Sequence, residues 1–109
     1  MSNPYAIARD YAESIMEEKE HWWNEELDQL LDVCHQWADQ SEHVIYYSNA
    51  HDFVRGLDGS DESNAVDHCH YSGLMPESYD DWAVKIAYFA LVELIQQYVF
   101  ELLDEEEAA

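Results

Sequence analysis

Positive charge is nearly missing from this 109-residue chain. Arg9, Lys19, Arg55 and Lys85 stand against 25 Asp and Glu, for a formal net charge of −21 at pH 7. That scarcity argues against direct nucleic-acid binding, which needs a basic patch to displace counterions from phosphates. It also sets the chain against an anionic membrane surface. Cysteine is limited to Cys34 and Cys69. Two cysteines do not make a disulfide framework, and free thiols in a reducing compartment are expected. Glycine and proline number 3 and 2. Gly56, Gly59 and Gly73, with Pro76 just after, concentrate the irregular chain in the middle and leave the rest for helices. No apolar run is expected to span a membrane, which takes roughly 18 residues. The first residues, MSNPYAIARDYAE, carry acids and no apolar leader core. A cytoplasmic location is the expectation.

What is present argues for folding. Hydrophobic residues make up 48% and aromatics 14%, more than a disordered acidic segment holds, because such a segment cannot offset its ordering entropy. A single acidic helical domain over 1–109 is expected. Its class is all-α: a small bundle of about four helices, with a long apolar C-terminal helix and an irregular segment near 57–77.

Asn3 and Pro4 read as an N-cap and a first-turn proline. Ile7, Ala8, Tyr11, Ile15 and Met16 then recur at helical spacing, predicting a first helix that ends near Glu20. The second helix is expected from Trp23 to Asp39, with Leu27, Leu30, Leu31, Cys34, Trp37 and Ala38 as its apolar stripe. Ser41 can cap a third through Gly56, burying Val44, Ile45, Tyr47, Phe53, Val54 and Leu57. The same SEHVIYYS segment has strand propensity, but no partner strand is visible. Residues 57–77 read as a loop holding a short helical turn around Ser63–His68. Ser78 and Asp81 form a capping box, and the last helix runs to about Glu105, followed by a fraying acidic tail. From Trp82 to Val99 that helix is apolar on nearly every face. Such a helix is either central to a core or shared with another subunit. Three shorter helices are too few to cover it, which raises a homodimer through the 82–103 helix.

The acids are spread along the helices instead of gathered in a tail. Asp10, Glu13, Glu17, Glu18 and Glu20 fall on the first helix, Glu25, Glu26, Asp28 and Asp32 on the second, and Glu93, Glu101 and Asp104 on the last. Glu25, Asp28 and Asp32 form a ladder at spacings of three and four, where like charges repel by a few tenths of a kcal/mol per pair. A face selected only for stability would mix in lysines. Separated carboxylates on a rigid scaffold resemble the phosphates of a duplex, which DNA-binding proteins grip through Lys and Arg. These twelve acids are the candidate partner-binding residues, and the expected partner is a protein with a basic groove.

Other chemistry finds little support. His68-Cys69-His70 resembles half a metal cluster, but zinc sites need a second group of ligands at characteristic spacing. DGSDESNAVD has the wrong order of glycine and acids for a calcium loop. His51 and Asp52 adjoin without the strained G-x-S-x-G turn of a serine hydrolase. No G-x-x-x-x-G-K-[ST] phosphate loop occurs. Trp22, Trp23, Trp37 and Trp82 read as packing residues, since base stacking without a cationic groove holds nothing. Neither an enzyme nor a cofactor is expected.

Residues Tyr71–Glu77 read YSGLMPE, ahead of a capped helix that runs into an acidic terminus. The turn Ser72-Gly73-Leu74-Met75-Pro76, with the length and the charge, resembles the phage Ocr antirestriction family. That resemblance implies an all-helical homodimer that imitates bent B-form DNA and blocks type I restriction–modification enzymes in the host cytoplasm. The last helix here is more apolar, and its acidic tail shorter, than in that family. The residues and the resemblance lead to one expectation: an inhibitor that occupies the DNA-binding site of a host defence protein of the restriction or CRISPR kind. The alternative is an acidic adaptor or antitoxin-like binder using its aromatic and apolar surface, where Trp22 or Trp23 would matter more than the acids.

Overall fold

The side chain of Asn3 accepts hydrogen bonds from the Tyr5 and Ala6 amides at 3.1 and 3.3 Å, and Pro4 occupies the first helical position. This cap starts α1, Pro4–Glu17. The computed structural model describes residues 3–19 and 27–108, with 27, 107 and 108 described by backbone alone. Among the described residues there are six helices and no strand: α1, then α2 (Leu27–Asp39), α3 (Glu42–Ile45), α4 (Tyr47–Arg55), α5 (Gly59–Ser72) and α6 (Tyr79–Ala108). The all-α class is as expected; the number of helices is larger than four, for two local reasons.

The first is a break at Tyr46. Ser41 caps α3 by accepting from the His43 amide at 3.1 Å, but Tyr46 adopts an extended backbone, with φ −92° and ψ 130°. The expected single helix over 41–56 is therefore two. The break turns Ile45 and Tyr47 outward, at 54% and 59% exposed, so neither joins Val44, Phe53, Val54 and Leu57 in the core.

The second is α5, a 14-residue helix where a loop with a short turn was expected. Asp58 sits at its N-cap in extended conformation, and Asp61 and Glu62 lie in the first turn, where carboxylates suit the helix dipole. Its packed side is narrow, with Ala65 and Cys69 buried four residues apart. Gly73, at φ +80°, ends it in the left-handed conformation that side chains resist.

The remaining predicted elements stand with small changes. The described part of α2 begins at Leu27, so its expected start at Trp23 lies outside the described residues. Leu30, Cys34 and Ala38 are buried. The Ser78 hydroxyl accepts from the Asp81 amide at 3.1 Å, while the Asp81 carboxylate accepts from Glu77 N–H, one residue before the expected partner. The last helix continues past Glu105 to Ala108.

All five other helices pack on α6. Ile86, Leu91, Val92, Ile95 and Val99 on it are essentially fully buried. The outer helices bury Ala8, Ala12, Ala38, Ala50 and Ala65 in the same core, together with the larger Ile15, Leu30 and Phe53. Within one chain the 83–99 stretch is buried on most of its faces, with Val84, Tyr88 and Tyr98 half-buried and Gln97 exposed. By length and composition α6 is apolar enough to cross a membrane, contrary to the expectation from run length. Only Lys85 and Glu93 interrupt its apolar stretch with charge, and half of the most apolar window is buried inside the fold.

Direction matters for the surface. Arg9 lies 5.7 Å over the Tyr98 ring, and Lys19 pairs with Glu106. Rising numbers in α1 meet rising numbers in α6, so the two run parallel and end together. On α5, Asp61 meets Tyr5 and His68 meets Glu93, so α5 runs antiparallel to α6.

Candidate functional site

Of the twelve candidate acids, Asp10, Glu13, Glu17, Glu18, Asp28, Asp32, Glu101 and Asp104 are exposed. Glu20, Glu25 and Glu26 lie outside the described residues, so the ladder is described only at Asp28 and Asp32. Glu93 differs from the rest: it is half-buried and 2.9 Å from His68 Nδ1, a pairing no spacing rule would reveal.

Each basic side chain is tied to a carboxylate of its own chain. Arg9 pairs with Glu13 at 3.6 Å, Arg55 with Asp52 at 3.4 Å, Lys85 with Asp81 at 2.5 Å, and Lys19 with Glu106. Asp10, Glu17, Glu18, Asp28, Asp32, Asp39, Glu101, Asp104 and Glu105 form no ion pair among the described residues. None of the described acids is buried.

The parallel ends of α1 and α6 bring the densest acids together. Glu17 is the last residue of α1 and Glu18 its C-cap; Asp104, Glu105 and Glu106 lie near the end of α6. Neither helix has a basic residue in its last turn. Helix C-termini carry partial negative charge and favour cations, by about 0.3–1 kcal/mol each. Here two such ends meet side by side under carboxylates, bridged by Lys19.

Polar contacts fix the rest of the frame. Tyr5 donates its hydroxyl proton to Asp61 at 2.5 Å and accepts from the Asp58 amide at 2.9 Å, joining α1 to the start of α5. Burial first, then the bond to Asp61, pushes the Tyr5 phenol up to about 12. Burial likewise raises Tyr98, helped by Glu101, and Tyr88, helped by Asp39. The Lys85 ammonium and then the Glu77 amide hold the Asp81 carboxyl below its usual range.

The cysteines and histidines are engaged locally. The free thiols of Cys34 and Cys69 are buried, and burial pushes Cys34 up to about 12. Within His68-Cys69-His70, the first residue faces Glu93, the second points its thiol at the Leu74 carbonyl, and the third lies against Tyr71. Consecutive helical positions diverge by about 100°, so they do not converge on one ion. Among the described residues no three His, Cys, Asp or Glu side chains are grouped to hold a metal. His51 pairs with Asp80 at 2.8 Å, not with its neighbour Asp52. Ser48 lines the same shallow cleft but makes no hydrogen bond to His51. A cleft of about 430 Å³ beside Tyr11 and Trp37 has its two hydroxyls, Tyr11 and Ser41, bonded to each other at 2.8 Å.

The exposed apolar residues include Ile45 and Tyr47, expected in the core, and Leu74 and Met75 of the SGLMP turn. Ile45, Tyr46 and Tyr47 form one group at the α3–α4 break. Tyr71, Leu74, Met75 and Tyr79 form another around the α5–α6 connection. The second borders a cleft of about 170 Å³ lined by Val66, Leu74, Met75, Pro76, Trp82 and Ile86, together with Cys69 and His70. The chain matches no family model, no curated protein and no solved structure.

Proposed function

We propose that this chain is a DNA-mimic inhibitor, which fills the DNA-binding groove of a host defence protein with carboxylates in place of phosphates. The reading rests first on linear charge density. The 21 acids with described side chains, less four bases, give −17 over a body 44 Å long, or one net charge per about 2.6 Å (44/17). Duplex DNA carries one per about 1.7 Å. The two densities are of one order, and the scaffold behind these acids is helical throughout. The cross-section of 29 × 24 Å is that of a short rod.

Two further features support it. Internal pairing of every basic side chain leaves a DNA-binding protein no cation to avoid. Acids at the joined C-termini of α1 and α6 oppose helix stability, which makes sense where a partner's Lys and Arg complete the arrangement. The mechanism is competitive exclusion without a chemical step. Long-range attraction makes association fast and sensitive to salt. A phage-encoded protein acting in the host cytoplasm fits the SGLMP resemblance.

The test is displacement of labelled duplex DNA from a type I restriction enzyme and from a CRISPR surveillance complex, at low and moderate salt. Displacement that weakens as salt rises is expected on at least one. Binding that is indifferent to salt would instead favour a specific adaptor.

A further inference from the structure

The apolar group at the α5–α6 connection has a form that charge mimicry does not require. Tyr71, Met75 and Tyr79 are 86%, 74% and 70% exposed. Duplex phosphates have no counterpart to them. Met75 lines a 170 Å³ cleft with Val66, Trp82 and Ile86, and Tyr79 packs on Trp82 next to it. An apolar cavity of about 150 Å³ takes a benzene ring, so this cleft is sized for one aliphatic or aromatic side chain.

The turn that holds it is fixed by its own bonds. Gly73 turns the chain at positive φ. The Ser72 hydroxyl donates to the Cys69 carbonyl at 2.6 Å, and the Cys69 thiol donates to the Leu74 carbonyl at 3.4 Å. Tyr79 stacks on Trp82 at 5.7 Å, with planes 17° apart. A surface held ready in this way loses little entropy on binding. Aromatic residues and Met are enriched where interfaces draw their energy.

We propose that this cleft docks an apolar side chain projecting from a basic segment of the target protein. The occupant is set by charge. Glu77, next to Pro76 of the cleft lining, is exposed, and the chain as a whole carries −21. That excess suits an apolar residue flanked by Lys or Arg. A second copy of this chain would bring a charge of −21 against −21, so self-association is the less favoured occupant. This rests on the proposed function in that the target is the same basic protein. It adds an anchor that keeps its strength in salt and limits which basic grooves are accepted.

The test uses the full chain and two labelled hexapeptides, Lys-Lys-Leu-Leu-Lys-Lys and Lys-Lys-Ser-Ser-Lys-Lys, in about 0.5 M salt, where exposed charges are largely screened. The Leu peptide is expected to bind at least tenfold more tightly and to shift the Met75 methyl resonance but not that of Met16. In the Leu74→Ser/Met75→Ser variant the preference should vanish, with helical circular dichroism and low-salt binding of the Ser peptide unchanged. Equal binding of the two peptides, or a preference that survives in the variant, overturns the docking site. So does sedimentation at dimer mass with Met75 shifting as the protein alone is concentrated. The peptides carry equal charge, so their difference is independent of DNA displacement. A failed competition with duplex DNA overturns the mimicry reading and not the cleft.

Discussion

Neutralising the acids at the joined ends of α1 and α6 is expected to make the protein more stable and a worse inhibitor. The variant is Glu17→Gln, Glu18→Gln, Asp104→Asn and Glu105→Gln, all near-isosteric and all exposed. Glu106 is kept because it holds Lys19. Each of the four sits where a helix end already carries negative charge, and neither last turn offers a basic side chain. The lower end of the dipole effect, about 0.3 kcal/mol per site, suits exposed groups. Four sites plus relief of mutual repulsion give about 1–2 kcal/mol. For a domain of this size that is a rise in Tm on the order of 5–10 °C at low salt. In 1 M salt, with a Debye length of about 3 Å, the gain should mostly disappear.

Binding should move the other way. Four contacts to a partner's basic groove at about 0.5 kcal/mol each come to about 2 kcal/mol, roughly a 30-fold loss of affinity at low salt. Thermal unfolding followed by circular dichroism reads the first quantity, and competition against labelled duplex on the responsive target reads the second. A variant that loses stability would refute the geometry of the paired helix ends. One that gains stability and inhibits as well as the parent would refute the assignment of this end to the interface.

Three further outcomes follow from the frame. Stability should fall as pH rises from 10 to about 12, because the Tyr5 phenol ionises later in the folded chain than in the unfolded one and the folded state holds its proton; Tyr5→Phe should flatten that fall and cost about 1 kcal/mol for the lost bonds, read by urea unfolding at pH 7 and pH 11. Neither Cys34 nor Cys69 should react with a thiol reagent at pH 8 in native protein, since both are buried and raised, while both should react in 6 M guanidinium. Leu91→Ala, at a fully buried site on α6, should cost about 2–5 kcal/mol and lower the urea midpoint with an unchanged slope.

Local signals in the sequence were readable where backbone chemistry decides them alone. Asn3-Pro4 starts α1, and Ser78 with Asp81 starts α6. The apolar stretch from Ala83 to Val99 identified the core helix. The misreadings came from elements whose reason is tertiary. α5 shows little apolar periodicity because only Ala65 and Cys69 are buried in it. Its start and stop signals, acids at 61 and 62 and glycine at 73, stand in a segment whose polar composition is that of a loop. The break at Tyr46 leaves no mark of its own among Val44, Ile45 and Tyr46, each compatible with helix or strand. For the surface, the identity of the acids was legible and their grouping was not. Glu17 and Asp104 are 87 positions apart in the chain, yet both approach the shared end of α1 and α6. Glu93 reads as one more acid until His68 is found against it.

The division of labour between α6 and the outer helices explains how one small chain tolerates its charge. Self-repulsion opposes the compact state, and apolar burial has to offset it. A bundle of amphipathic helices of equal rank would spend one face of every helix on the core. Here α6 gives most of its faces to burial between Ala83 and Val99, and the outer helices add buried stripes that hold many alanines beside Ile15, Leu30 and Phe53. Those stripes leave the rest of each outer helix to solvent. That remainder carries Asp10, Glu17, Asp28 and Asp32 with no core duty. An apolar last helix and an acidic surface are then two sides of one design: concentrating the core in one helix frees the others to carry carboxylates.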